Sequence, residues 1–168
     1  MMEIAIDVKI SPFLKSDVLQ FGFKTQISTS HALFSLKSTV DYFTKLSSDV
    51  FVSYLDCSKA FDRISHYGLF NKLIGRKVPL CFLLIIIFWH LGMICRVKWG
   101  DSYGNYFDVP LGTKQGGISS PGYFGLYVND MIELLRKQGI GCHILKTFIA
   151  CIMFADDLAL VAPSRVAL

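Results

Sequence analysis

The sequence predicts an α+β domain in which an antiparallel β-sheet packs on helices. Apolar residues recur at helical spacing in several segments, β-rich runs without helical period lie between them, and there is no internal repeat or low-complexity linker. A length of 168 residues gives room for one domain. With 52% apolar residues, 18% charged residues and a mean hydropathy of +0.46, a disordered chain or a coiled coil is excluded and a buried core is expected. The net charge of +4 permits a phosphate-rich partner without requiring one.

The segment from Met1 to Ile10 mixes apolar residues with Glu3, Asp7 and Lys9, unlike the basic start and unbroken apolar core of a secretion signal. Leu33, Leu36, Val40 and Phe43 follow the capping-type cluster Ser28-Thr29-Ser30 at spacings of three and four, predicting an amphipathic helix. Val50 to Leu55 reads as a buried strand that delivers Asp56 at its tip. Leu69, Phe70 and Leu73 mark the next helix. The apolar run Leu80–Trp89, extended to Cys95 between Lys77 and Arg96, spans 16 residues, short of the roughly 20 that cross a bilayer. It is expected to be a fully buried helix opened by Pro79.

Ile94–Trp99 and Tyr106–Val109 flank a loop-forming stretch, predicting a hairpin that Pro110 ends. Arg96, Tyr103 and Tyr106 mix a base with aromatics there, as a nucleic-acid contact or a plain strand edge would, and they receive no role. Ser120-Pro121 opens a helix with an apolar stripe of Phe124, Tyr127, Val128, Met131, Leu134 and Leu135. Arg136 and Lys137 suit its C-terminal dipole, and Gly139 stops it. Phe148–Phe154 and Leu158–Val161 then read as strands joined across Ala155-Asp156-Asp157.

Five cysteines, an odd number without a C-x-x-C pair, suit buried thiols in a reducing, intracellular setting, in cytoplasm or nucleus, rather than a secreted or membrane protein. Cys142, His143 and Cys151 lack a fourth zinc ligand at usable spacing.

Two carboxylate-tipped strands form the sharpest chemical signal. If Val50–Leu55 lies beside the final hairpin in one sheet, Asp56, Asp156 and Asp157 converge at one edge, where their repulsion calls for a compensating charge. Mg²⁺ suits this, because it prefers oxygen and is commonly held by one or two carboxylates plus substrate phosphates. Two such ions about 3.5–4 Å apart are the arrangement that drives phosphoryl transfer. A solvated Asp-Asp turn is the plainer reading of the last two acids taken alone.

The run Asp56-Cys57-Ser58-Lys59-Ala60-Phe61-Asp62, followed after 52 residues by Gln115-Gly116-Gly117-Ile118-Ser119-Ser120-Pro121 and then by Phe154-Ala155-Asp156-Asp157, resembles the three palm motifs of non-LTR (LINE-type) retrotransposon reverse transcriptases in order and spacing. Gln20-Phe21-Gly22-Phe23-Lys24 and the Ser28-Thr29-Ser30 cluster look like the segment before the palm in the same enzymes.

The resemblance implies a polymerase palm over 49–168 and a partial, helical fingers segment over 1–48. It further implies an RNA-directed DNA polymerase that adds deoxynucleotides to a primer 3′-hydroxyl on an RNA template, inside a larger retroelement polyprotein. Asp56, Asp156 and Asp157 would then hold two Mg²⁺ ions, or Mn²⁺ in their place, with the backbone carbonyl of Cys57 as a further ligand. Phe61 would crowd the sugar 2′ position, with a core aromatic as its plainer role. Gln115 and Gly116 would sit against the incoming nucleotide and templating base, with a glycine turn before a helix as the alternative. Lys24 could touch template or triphosphate.

Departures from the pattern are Ser119, where the family usually has leucine, and helix-weakening Gly122 and Gly125. The family's thumb and first fingers motif have no counterpart, and Met1–Leu19 matches poorly, so little synthesis by this chain alone is expected. A catalytically silent nucleic-acid-binding palm is the competing reading, and a small membrane protein a third.

Overall fold

The computed structural model describes residues 2–168 and divides into two compact units, each assembled from two chain segments: 1–15 with 59–127, and 16–58 with 128–168.

The first unit opens with α1 (Met2–Ile10) and a 3₁₀ turn at Ser11–Phe13. A second 3₁₀ turn, Phe61–Arg63, leads to α3 (His66–Gly75), where Ser65 caps the start by accepting from the Gly68 amide at 3.3 Å. Next comes α4 (Leu80–Leu91), with Pro79 as its N-cap. Ile10, Ile64, Leu69, Leu73 and Ile86 are fully buried here.

The expectation of a fully buried apolar helix is corrected by α4: Leu83, Ile86 and His90 are buried, whereas Leu84, Phe88 and Leu91 are 56%, 77% and 59% exposed. The helix α3 packs along its buried side, and a helix apolar on all sides has nothing in its own sequence to prevent the rest facing outward. No helix among the described residues is long and apolar enough to cross a membrane.

The predicted hairpin forms as two short antiparallel ladders. The strand β2 (Ile94–Cys95) pairs with β5 (Phe107–Asp108), and β3 (Lys98–Trp99) pairs with β4 (Ser102–Tyr103) around Gly100, whose φ is +58°. The Arg96 guanidinium lies 3.9 Å from the Tyr103 ring centre and 5.1 Å from that of Tyr106, a cation–π stack that braces an otherwise exposed arm.

In the second unit, α2 (Thr29–Lys45) starts where the Ser28 amide donates to His31 Nδ1 at 3.1 Å. A three-stranded antiparallel sheet has the order β1 (Phe51–Asp56), β9 (Asp157–Ala162), β8 (Cys151–Phe154). The helix α5 runs from Ser120 to Gln138, and its second half belongs to this unit. Period-two alternation along β8 and β9 divides the sheet into two faces. Cys151, Met153 and Leu158 pack with Ile132, Val128, Met131 and Leu135 of α5, while Ile152, Phe154 and Ala159 pack with Ala32 and Leu36 of α2. Helices on both faces explain why β8 reads as a continuous apolar run rather than an alternating one.

Two expectations shift in detail. Leu134 is exposed and Ile132 takes the buried place on α5. The stretch expected as one strand from Phe148 breaks at Ile149-Ala150: β7 (Thr147–Phe148) pairs with β6 (His143–Ile144), and only then does β8 begin. At the break the Ile149 amide donates to Cys142 O at 3.1 Å and Ala150 O accepts from Val161 N at 2.8 Å, so the kink stays tied to its neighbours through one donor and one acceptor.

Candidate active site

The carboxylates of the second unit are organised by strand register. Residues Phe51 to Asp56 pair in order with Ala162 to Asp157, which sets Asp56 directly opposite Asp157. Directly opposed residues of an antiparallel pair project to the same face, and here that is the face α2 covers. Both acids line a cleft of about 460 Å³ bounded by Thr29, Ala32 and Leu33 of α2 and by Tyr54, Phe154 and Ala159.

Asp156 is positioned differently. The hairpin turn is Ala155-Asp156, and Asp157 already begins β9, so the expected two-acid turn contains one acid. Asp156 is half-buried in the turn and is not among the residues lining the cleft. Cys57, directly after β1, is half-buried and also lies outside it.

The turn is held from a distance in sequence. Ala155 has φ +56°, a left-handed conformation that costs a residue with a Cβ. Gln20, fully buried, accepts through Oε1 from the Ala155 amide at 3.0 Å and the Gly22 amide at 2.8 Å, and donates through Nε2 to Ala155 O at 2.9 Å. Its backbone joins the sheet edge: Met153 N donates to Leu19 O at 2.9 Å and Phe21 N to Met153 O at 2.7 Å, making a parallel bridge with β8. A Cβ on Gly22 would run into the Ala155 amide, so the sequence Gln20-Phe21-Gly22 fits against this turn only with glycine last.

The other nominated residues lie in the first unit and are brought together there. The stretch Leu111–Gln115 runs against Phe61–Ser65: Gly112 N donates to Ile64 O at 2.7 Å, Thr113 N to Phe61 O at 3.0 Å, and Gln115 Nε2 to Asp62 Oδ1 at 3.0 Å. Phe61 stacks on Phe124 at 4.9 Å. Gly116 has φ +78°, and a Cβ there would meet nothing within 4 Å. Gly112 carries the tighter constraint, with φ +91° and the Asp62 Cα 2.9 Å from where its Cβ would be.

The start of α5 is less open than expected, because Glu3 accepts from the Ile118 amide at 2.7 Å and Asp7 from Ser119 Oγ at 2.9 Å. Ser119, in the place of the family's usual leucine, thus has a polar partner. Gly122 leaves room for Leu14, whose Cδ1 lies 2.8 Å from where a Cβ would sit. Burial pushes the Tyr123 hydroxyl up to about 12, against a smaller opposing effect of its hydrogen bond with Ser119. Lys24 donates to Asp17 O within the second unit, and burial lowers its pKa.

The sequence signal singled out the three acids, Phe61, Gln115 and Gly116. It missed the part played by Gln20 and Gly112, although both lie in or beside quoted motifs.

Residues 2–168 match the family model described as reverse transcriptase (RNA-dependent DNA polymerase). The chain belongs to the reverse transcriptase family. The match reaches back to residue 2, so the segment before Leu19, expected to match poorly, lies inside the family's span.

Among relatives, this reverse transcriptase chain is 31% identical over 119 residues to the Retrovirus-related Pol polyprotein from type-2 retrotransposable element R2DM of Drosophila melanogaster, covering 70% of the chain and 11% of that polyprotein. It is 26% identical over 145 residues to the RNA-directed DNA polymerase from mobile element jockey of Drosophila funebris, covering 86% of the chain and 15% of that protein. The likeness to non-LTR elements is therefore explicit, and the chain spans only a small part of these relatives' length. The fold is similar to that of apo telomerase from Candida tropicalis, with a TM-score of 0.66 at 14% identity, over 98% of this chain and 34% of the other.

Divalent metals are general to the reverse transcriptase family. Among the described residues no three His, Cys, Asp or Glu side chains converge as a ligand cage. Two opposed carboxylates on the rim of a cleft nevertheless suit Mg²⁺, which commonly takes one or two carboxylates and completes its shell with water and substrate phosphate.

Proposed function

We propose that this chain contributes the nucleotidyl-transfer site of an RNA-directed DNA polymerase, extending a DNA primer by one deoxynucleotide at a time on an RNA template. The observation that carries this reading is the Asp56–Asp157 register in a member of the reverse transcriptase family. Like charges directly opposite on a sheet are destabilising, so the pairing makes sense as a site for a cation.

Asp56 and Asp157 would hold Mg²⁺, with Asp156 and the Cys57 carbonyl as further ligands once substrate is present; Mn²⁺ substitutes. The bound metal supplies charge neutralisation at the triphosphate and acidification of the primer hydroxyl. Phe61 limits the room at the sugar 2′ position, and its stacking on Phe124 supports a fixed ring orientation. Gln115, oriented by Asp62, and Gly116, without a Cβ, present a donor and a flat surface to the incoming base.

Residues 1–48 correspond in this reading to part of the fingers and 49–168 to the palm. Its partners are RNA template, DNA primer, deoxynucleoside triphosphates and the remainder of a retroelement polyprotein, inside the cell.

The test is single-nucleotide incorporation on a primed RNA template, together with Mn²⁺ titration of the 168-residue chain. The expected result is saturable Mn²⁺ binding that Asp56→Asn or Asp157→Asn removes, with incorporation that is weak but sensitive to the same substitutions. A chain that neither binds Mn²⁺ nor incorporates a nucleotide overturns the reading.

A further inference from the structure

We infer that Gln20 is a positioning residue that sets the conformation of the Ala155-Asp156 turn, and through it the placement of the Asp156 and Asp157 carboxylates for ion binding. This inference deepens the proposed function and rests on it for the role of the acids.

The chemistry of the clamp is specific to a carboxamide. The turn presents two N–H groups, of Gly22 and Ala155, and one carbonyl, of Ala155, to a fully buried site. Only a side chain with an acceptor and a donor on one carbon satisfies all three, and glutamine has the reach. A carboxylate of the same shape keeps both acceptor contacts but loses the donor and sets negative charge against a carbonyl oxygen. An apolar side chain leaves all three backbone groups without a partner.

The clamp also explains an otherwise unfavourable backbone. Ala155 sits at φ +56°, and such residues persist where surrounding contacts over-determine them. Here those contacts are the Gln20 carboxamide, the close approach of Gly22 to the Ala155 amide, and the parallel bridge of Gln20 with Met153. If the turn relaxes toward right-handed backbone, the residues after it rotate, and the Asp157 side chain no longer projects on the same face as Asp56.

The experiment combines residue-resolved amide hydrogen exchange with Mn²⁺ titration on the 168-residue chain, comparing wild type with Gln20→Met and Gln20→Glu. In Gln20→Met, exchange at Ala155 should accelerate about tenfold or more, as loss of two or three hydrogen bonds requires, while exchange at Val161 stays near wild type. Mn²⁺ affinity should fall in parallel. Gln20→Glu keeps the acceptor contacts and should lie between the two, which preserves the test if Gln20→Met does not fold. Ile132→Val, a core change on the α5 side, should lower the melting temperature without moving Mn²⁺ affinity, separating positioning from general loss of stability. Unchanged exchange at Ala155 overturns the clamp, and accelerated exchange with unchanged Mn²⁺ affinity overturns the positioning role. Absence of Mn²⁺ binding by wild type, with the Ala155 exchange still sensitive to Gln20, sinks the proposed function and leaves the clamp standing.

Discussion

Asp56 and Asp157 stand directly opposite each other across the β1–β9 ladder, both on the rim of the cleft that α2 helps to form. Their repulsion is a standing cost to the metal-free fold, of the order of 0.2–1 kcal/mol for a cross-strand pair.

Asp157→Asn should therefore stabilise the protein by about that amount in EDTA and abolish the stabilisation that Mn²⁺ gives the wild type. Thermal unfolding with and without Mn²⁺ measures both effects. A variant less stable than wild type in EDTA would contradict the account.

Gly112→Ala should destabilise by about 1–3 kcal/mol, the cost of forcing a Cβ into left-handed backbone, because Asp62 Cα already lies 2.9 Å from that position. Urea denaturation gives the number. Gly116→Ala meets no atom within 4 Å and pays only for its φ of +78°, so it should cost less.

Stability should fall on the alkaline side. Burial raises the Cys151 thiol from 9.0 to about 12, and Asp17 adds to the rise. Tyr123 rises from 10.0 to about 12, and burial also raises Cys142. Each folded-state pKa lies above its unfolded value, so the stabilisation is complete below pH 9 and is lost as pH climbs from 9 to 12. Each group contributes at most about 1.4 kcal/mol per pH unit. Urea midpoints should be flat from pH 7 to 8.5, decline above 9 and steepen above 10. Cys151→Ala should make the first part of that decline shallower.

The outward side of α4 should govern association. Phe88 is 77% exposed, so Phe88→Lys should leave stability within about 0.5 kcal/mol while reducing self-association in sedimentation or light scattering. A large loss of stability would mean that this side is covered within the monomer.

Much of the second unit was legible because its signals are local. Ser28-Thr29-Ser30 announced the start of α2, β-branched and aromatic residues announced β1 though not its position at the sheet edge, where Tyr54 and Leu55 are exposed rather than buried, and a polar pair between apolar runs announced the last hairpin. What was not legible depends on partners far apart. Nothing near position 20 signals a carboxamide reaching a turn 135 residues away. The separation of Asp156 from Asp157 follows from where β9 begins, a choice of one residue that composition does not encode. The outward side of α4 is not legible because a uniformly apolar helix carries no period to show which side meets a neighbour.

The pairing of β1 with β9 also governs the order of events during synthesis. β1 ends at residue 56 and its ladder partner among the described residues starts at 157, so at roughly 5–20 residues per second the ribosome leaves the nascent Phe51–Asp56 segment without its neighbour for roughly 5–20 s. Throughout that interval the segment has both hydrogen-bonding sides open, a template for wrong pairing that the arrival of β9 closes on one side.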